Sequence, residues 1–207
     1  MGPSLSPDPS SALTEAHLDA LFGLADLGVR AGLAGRSAPT VDPSTLVPAL
    51  REPTGVFVTL EVAGELNGCI GTVEPMEPLG VAVPPLAWAA AFADPRLPPL
   101  TAADYPSLDI KLSLMSPLTP VPAATEEEVL AILRPGVDGL LIRHGAGDAT
   151  FLPAVWDKVP DAVTFLRQLE VKAGLRPGHW PCDVQAWRYT TSEHRRKVVE
   201  IDRRFAA

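Results

Sequence analysis

Cys69 stands between two glycines in the run Leu66-Asn67-Gly68-Cys69-Ile70-Gly71-Thr72. A thiol there is a candidate nucleophile, because a backbone bend can present its sulfur and the flanking glycines let a ligand approach. Thiols are only a few per cent ionised at neutral pH, so a catalytic one needs a base or a positive dipole nearby. His17, His144, His179 and His194 are all distant in sequence, and folding would have to bring one close. The competing reading is a small buried hydrophobe where backbones pack tightly. Glu74, just past the run, is a candidate general base or carboxylate ligand, or equally a cap for the next loop or helix. Asp94 and Arg96 flank Pro95 and suit either a buried ion pair that fixes a loop or, through Arg96, an anionic substrate.

Other chemistries find less support. A metal site needs three or four convergent ligands, and no close-spaced His/Asp/Glu cluster exists, so no metal or cofactor is expected. His144 beside Gly145 reads as a turn residue. Gly145-Ala146-Gly147 lacks the further glycine and the helix of a dinucleotide fingerprint. Trp156, Trp180 and Trp187 suit packing, or the lining of a pocket.

The elements that must position these residues can be read from periodicity. Leu18, Leu21, Phe22, Ala25 and Val29 share one helical face, opened by Thr14 and Glu15 and closed near residues 32–35. Residues 55–62 are a β-branched strand, and Ala63-Gly64 turns the chain back into a partner strand carrying Cys69. A helix lies within 78–93, its main part starting near Pro85, where the missing amide proton costs nothing. Alternation predicts a strand over 108–115, three glutamates open a helix at 125–134, and 139–144 is a strand followed by a turn. Asp161 caps a last helix that ends at Gly174, and 182–191 is a final strand. Helices and strands mix without a βαβ repeat. The fold class expected is α+β, with an antiparallel-dominated sheet and flanking helices.

Bulk properties bound the rest. The 207 residues fit one domain or two fused subdomains. At that size roughly 70% of the unfolded surface can be buried, so no disulfide or metal is needed. The 23 prolines are about twice the average share and predict short elements and stiff connections. A net charge of −8 disfavours nucleic acid. The basic cluster 194–197 with Arg203 and Arg204 is broken by Glu193, Glu200 and Asp202, and reads as a solvated helical end. No run of eighteen apolar residues suggests a membrane span, and the first ten residues do not read as a signal peptide. A soluble cytoplasmic protein with reduced thiols is expected.

The motif Gly68-Cys69-Ile70-Gly71 followed by Thr72-Val73-Glu74-Pro75 resembles the AMMECR family (AMME chromosomal region protein-like). The nearer branch is the bacterial and archaeal one called AmmeMemoRadiSam system protein A. Residues 93–100, the stretch 150–156, and Lys172-Ala173-Gly174-Leu175 with Trp180 resemble further family segments in the same order. Two positions depart from the pattern: Asn67 stands where the family has arginine, and Lys111 where it usually has an acid. The resemblance covers about residues 15–192. It implies two packed subdomains, of unassigned boundary, with a cleft near the cysteine motif. Residues 1–10 then form a disordered leader, 11–192 one AMMECR-like domain and 193–207 a charged tail. It also implies a small-molecule-handling component working with a Memo-like dioxygenase-type protein and a radical S-adenosylmethionine protein. The alternative is a non-catalytic adaptor for those partners. On this reading Cys69 and Glu74 are the candidate catalytic residues, and Asn67, Gly68, Ile70, Gly71, Thr72, Asp94 and Arg96 line the site.

Overall fold

A computed structural model of the chain describes residues 13–122, 125–145 and 147–202. The expected leader, residues 1–10, lies outside the described residues, as does the end of the tail, residues 203–207. The chain divides into two units, residues 1–115 with 192–207, and residues 116–191.

In the first unit, helix α1 (Glu15–Leu33) starts at a reciprocal cap. Thr14 Oγ1 accepts from the His17 amide while His17 Nδ1 accepts from the Thr14 amide. Strands β1 (Val56–Val62) and β2 (Glu65–Thr72) form the expected hairpin, turning at Ala63 and Gly64 with φ of 50° and 89°. Helix α2 (Leu79–Phe92) follows, then β3 (Leu108–Met115), which pairs with β1 on its other side. Val56, Val58 and Leu60 of β1 and Ile110, Leu112 and Leu114 of β3 point to one face and are all buried. Against them pack Leu21, Phe22, Ala25 and Val29 of α1 and Val83, Ala87, Ala90 and Ala91 of α2.

Helix α2 begins six residues before the expected start at Pro85 and runs through Pro84 and Pro85. The prolines deprive only the Gly80 and Val81 carbonyls, in the first turn, of their i+4 donors. The helix is held there by packing: a Cβ on Gly28 of α1 would lie 2.2 Å from the Pro84 carbonyl oxygen.

The charged tail is also corrected. Residues 191–197 form β8 (Thr191–Lys197), a strand rather than a solvated helical end. The sheet order is β2-β1-β3-β8. The physical reason is a period of two: Glu193, Arg195 and Lys197 are exposed while Ser192, His194 and Arg196 are half-buried. Arg195 reaches across the sheet to Glu61 and to Asp109, the latter at 2.8 Å. Charges of this kind also guard an edge strand against further pairing.

The second unit holds β4 (Thr119–Val121), α3 (Glu126–Ile132), β5 (Gly139–His144), β6 (Gly147–Phe151), α4 (Ala162–Lys172) and β7 (Gln185–Tyr189). Its antiparallel sheet runs β4-β7-β5-β6. Asp161 caps α4 by accepting from the Thr164 amide at 2.7 Å. The core centres on Phe165, with Trp156 stacked on it at 3.8 Å and Phe151 edge-on at 5.3 Å. The indole of Trp156 donates to the Asp138 carbonyl at 2.8 Å, so all three aromatics serve packing.

Glu170 of α4 is fully buried. Its Oε2 accepts from the Gly178 amide at 2.7 Å, while Oε1 has no partner among the described residues. Burial raises this carboxyl above its ordinary value, against the Gly178 amide. A carboxyl raised on folding favours the fold below its unfolded pKa, and that advantage is lost as pH rises through the folded value. Glu170→Gln should therefore stabilise the chain by about 1–2 kcal/mol at pH 7.5. The gain should vanish by about pH 4. Urea unfolding at the two pH values measures it.

Candidate functional site

Antiparallel register places residues directly opposite one another on the same face. Thr59 of β1 is opposite Cys69 of β2 on one side and Lys111 of β3 on the other. The three side chains thus form a row on the sheet face away from α1 and α2. The row ends at Glu193 of β8, whose carboxylate pairs with Lys111 Nζ at 2.8 Å. Glu193 also accepts from Ser113 Oγ at 3.5 Å. Lys111, which departs from the family pattern, therefore has its counter-charge within the sheet.

Cys69 is half-buried and its thiol is free. The Thr59 hydroxyl donates to its sulfur at 3.2 Å. The Cys69 amide donates to Asp94 Oδ2 at 3.0 Å, and its carbonyl accepts from Arg96 Nη2 at 2.8 Å. Both backbone groups thus point away from β1, which makes Cys69 and Thr59 a non-hydrogen-bonded pair with closely spaced side chains. Since β2 is an edge strand, Asp94 and Arg96 close its open side at the cysteine.

The ion pair that does this is two-pronged. Arg96 Nε donates to Asp94 Oδ1 at 2.8 Å and Nη2 to Oδ2 at 2.6 Å, while the Arg96 amide donates to Oδ1 at 3.1 Å. The Asp94 side chain is 2% exposed and that of Arg96 63%. The guanidinium holds the Asp94 carboxyl well below the usual carboxylate range, outweighing burial, with the Cys69 amide adding to the effect. Asp94 in turn raises Arg96, and the Cys69 side chain contributes a smaller push in the same direction. Asp94 and Arg96 form the loop-fixing ion pair, and the loop they fix is bonded to the cysteine.

Asn67 occupies a β-bulge, since Leu60 pairs with Gly68 and Glu61 with Leu66, leaving it unpaired. Its Nδ2 reaches the Pro98 carbonyl at 3.5 Å, and its Oδ1 is buried without a partner among the described residues. Residues 94–100 are thereby tied to β2 at two points. The glycines have a different task from the one expected. A Cβ on Gly68 would lie 1.8 Å from the Ala90 carbonyl oxygen of α2, and one on Gly71 would meet the Phe57 ring at 2.5 Å. The space beside each is filled by protein, so neither opens a path for a ligand. Ile70 packs against the core of the first unit.

Glu74 lies beyond the last β2 pair, Val56 opposite Thr72. Its amide donates to Thr72 Oγ1 at 3.2 Å, and that hydroxyl donates back to the Glu74 carbonyl at 2.9 Å. With Met76, Glu77, Pro85 and Leu86 they line a separate hollow of about 330 Å³. The fold thus joins Cys69 to Asp94 and Arg96 but leaves Glu74 at the strand's far end. Sequence reasoning missed Thr59 and Glu193. Alternation along β1 carries a signal for the first, whereas the second needs β8.

Among the described residues no histidine or carboxylate side chain bonds the Cys69 thiol; its side-chain hydrogen bond is with a hydroxyl. Among the described residues no group of three or more His, Cys, Asp or Glu is placed to hold a metal ion. No described helix is long and apolar enough to cross a membrane. The arrangement offers a rigidly held, half-buried thiol beside a partly exposed guanidinium.

Residues 26–194 match the AMMECR1 family model, which spans both units. The chain belongs to the AMMECR1 family. A protein of Methanothermobacter thermautotrophicus is 38% identical over 140 residues, covering 65% of this chain and 71% of that protein. A relative from Methanocaldococcus jannaschii is 34% identical over 162 residues, 72% of this chain and 79% of its own. The crystal structure of an uncharacterised protein from Pyrococcus horikoshii superposes with a TM-score of 0.73 at 29% identity. That match covers 87% of this chain and 92% of the other. The AMMECR1 match takes in the whole clamp, from Thr59 through Cys69, Asp94 and Arg96 to Glu193.

Proposed function

We propose that this AMMECR1-family chain is a small-molecule-handling component that works with a Memo-like dioxygenase-type protein and a radical S-adenosylmethionine protein. Its contact point for the small molecule is the sheet face around Cys69. The observation that carries the reading is the clamp: both backbone groups of a half-buried cysteine are fixed by one ion pair. Pre-organisation of this kind suits a group that must meet a ligand in one geometry.

A second reading, a non-catalytic adaptor for the same partners, is favoured by the thiol's hydrogen bond to a hydroxyl rather than a base. Access alone predicts the labelling order: exposed Cys182 should react with iodoacetamide faster than half-buried, hydrogen-bonded Cys69. Mass spectrometry of peptides from the native chain reads both sites. Faster labelling at Cys69 would point to an activated nucleophile and to the enzyme reading.

The deciding experiment is co-purification with the Memo-like and radical proteins of the same genome, followed by mass spectrometry of retained small molecules. Association with a retained compound that Cys69→Ala releases supports small-molecule handling. Association without any compound leaves the adaptor. Neither association nor compound removes both readings.

A further inference from the structure

Glu170 is fully buried, yet no described residue bonds its Oε1. Buried polar atoms are nearly always paired, so one left over has a physical reason. Against this carboxyl lies the turn 176–179, all of whose residues are exposed. The turn is closed on itself by the His179 amide, which donates to the Arg176 carbonyl at 3.0 Å. Leu175 before it is buried, and its amide donates to the Glu170 carbonyl at 2.8 Å. Trp180 after it packs against the core of the second unit. Between those fixed ends, among the described residues, one hydrogen bond ties the turn to the rest of the unit. It is the bond from the Gly178 amide to Glu170 Oε2, at 2.7 Å.

The charges around this carboxyl come from three elements. From α3, Glu126 brings a second negative charge, its Oε2 lying 3.8 Å from where a Cβ on Gly178 would sit. On α4 itself Arg167 is one turn away, but its Nε pairs with Glu126 Oε1 at 3.4 Å. His179 acts on it from the turn. Strand β6 also packs on α4, and its Asp148 pairs with Arg143 at 2.7 Å. Burial, with Glu126, makes Glu170 harder to ionise and outweighs the Gly178 amide, Arg167 and His179. A neutral carboxyl keeps the Gly178 bond through its carbonyl oxygen and leaves only a hydroxyl unpaired. A carboxylate leaves a charge in the interior beside Glu126, and water reached by opening the turn relieves it.

We propose that Glu170 is a proton-operated latch on the turn 176–179. While its carboxyl is protonated the turn stays closed on α4. As the carboxyl ionises, the turn swings out between Leu175 and Trp180 and admits water to it. A carboxyl that ionises less readily in the closed form weakens that form as pH rises. The latch is therefore tight in mild acid and loose toward neutral pH.

The test is amide hydrogen exchange of the whole chain, read by NMR from about pH 5 to about pH 8 and corrected for intrinsic rates. Protection of the Gly178 amide should fall by about fivefold across that range. At every pH it should also lie well below that of Leu169, inside α4, because the turn opens without the helix unfolding. Glu170→Gln keeps the acceptor and lacks the charge, so its Gly178 protection should not change with pH. Should that variant misfold, Glu126→Gln removes the facing charge and should shrink the fall. No fall in the parent, or a fall undiminished in the folded variant, overturns the proposal. So does Gly178 protection equal to that of Leu169, which would mean that the turn opens only when the unit unfolds.

Discussion

Asp94→Asn should destabilise the chain by about 1–2 kcal/mol at pH 7, because it weakens a buried acceptor of several hydrogen bonds while the Arg96 charge left behind is largely exposed. The carboxylate accepts from the Cys69 amide and from three Arg96 donors. An amide there turns one acceptor into a donor facing an N–H. Arg96→Lys keeps the charge but loses the two-pronged bond, and should cost about 1 kcal/mol, since the arginine is largely exposed. The pH dependence has a definite sign. A carboxyl depressed on folding contributes stability above its unfolded pKa, about 4, and loses it as pH falls toward the folded value. The gap between parent and Asp94→Asn should thus be full at pH 7 and shrink only below about pH 4. Urea unfolding across that range measures it. In the same variant Cys69 should label faster, since the clamp no longer closes the β2 edge. A gap independent of acid would mean that the Asp94 charge, and with it the pair to Arg96, contributes little.

Gly68→Ala should be at least as damaging. The new Cβ would lie 1.8 Å from the Ala90 carbonyl oxygen and 2.8 Å from its carbon, both main-chain atoms of a packed helix. Neither can swing aside, so α2 must separate from β2, at about 3 kcal/mol or more. The control is Gly64→Ala in the hairpin turn, where φ is 89° and nothing lies within 4 Å of the new Cβ. That change meets only backbone strain, about 1–2 kcal/mol. Denaturant midpoints for the two variants separate the effects. Equal losses would show that conformational freedom, and not close approach, selects glycine at position 68.

The tie between Gly68 and Ala90 also shows how far local signals reach. β1 was legible from its β-branched residues, β2 from the Ala63-Gly64 turn, and β3 from an alternation of apolar and polar residues with one buried face to satisfy. α1 and α4 were legible through Thr14 and Asp161, whose caps act within one turn. β8 was not, because Glu193, His194, Arg195 and Arg196 carry charge on both faces, and only pairing beside β3 makes a strand of them. α2 lies within the expected 78–93, but its continuity through Pro84 and Pro85 was not legible because proline preferences are local, whereas Gly28 lets α1 pack against Pro84 from outside the helix.

The candidate site divides along the same line. From residue types alone came the cysteine between glycines, the Asp94–Arg96 pairing as one of two options, and an acidic chain unsuited to nucleic acid. Only the tertiary structure chose between ion pair and free anion site, moved Glu74 away from the thiol, and gave Lys111 its partner in Glu193. The reason is range: alternation and capping are settled within a few residues. Which groups meet across a sheet or at its edge depends on register and helix packing, and these join positions 25 to 80 residues apart.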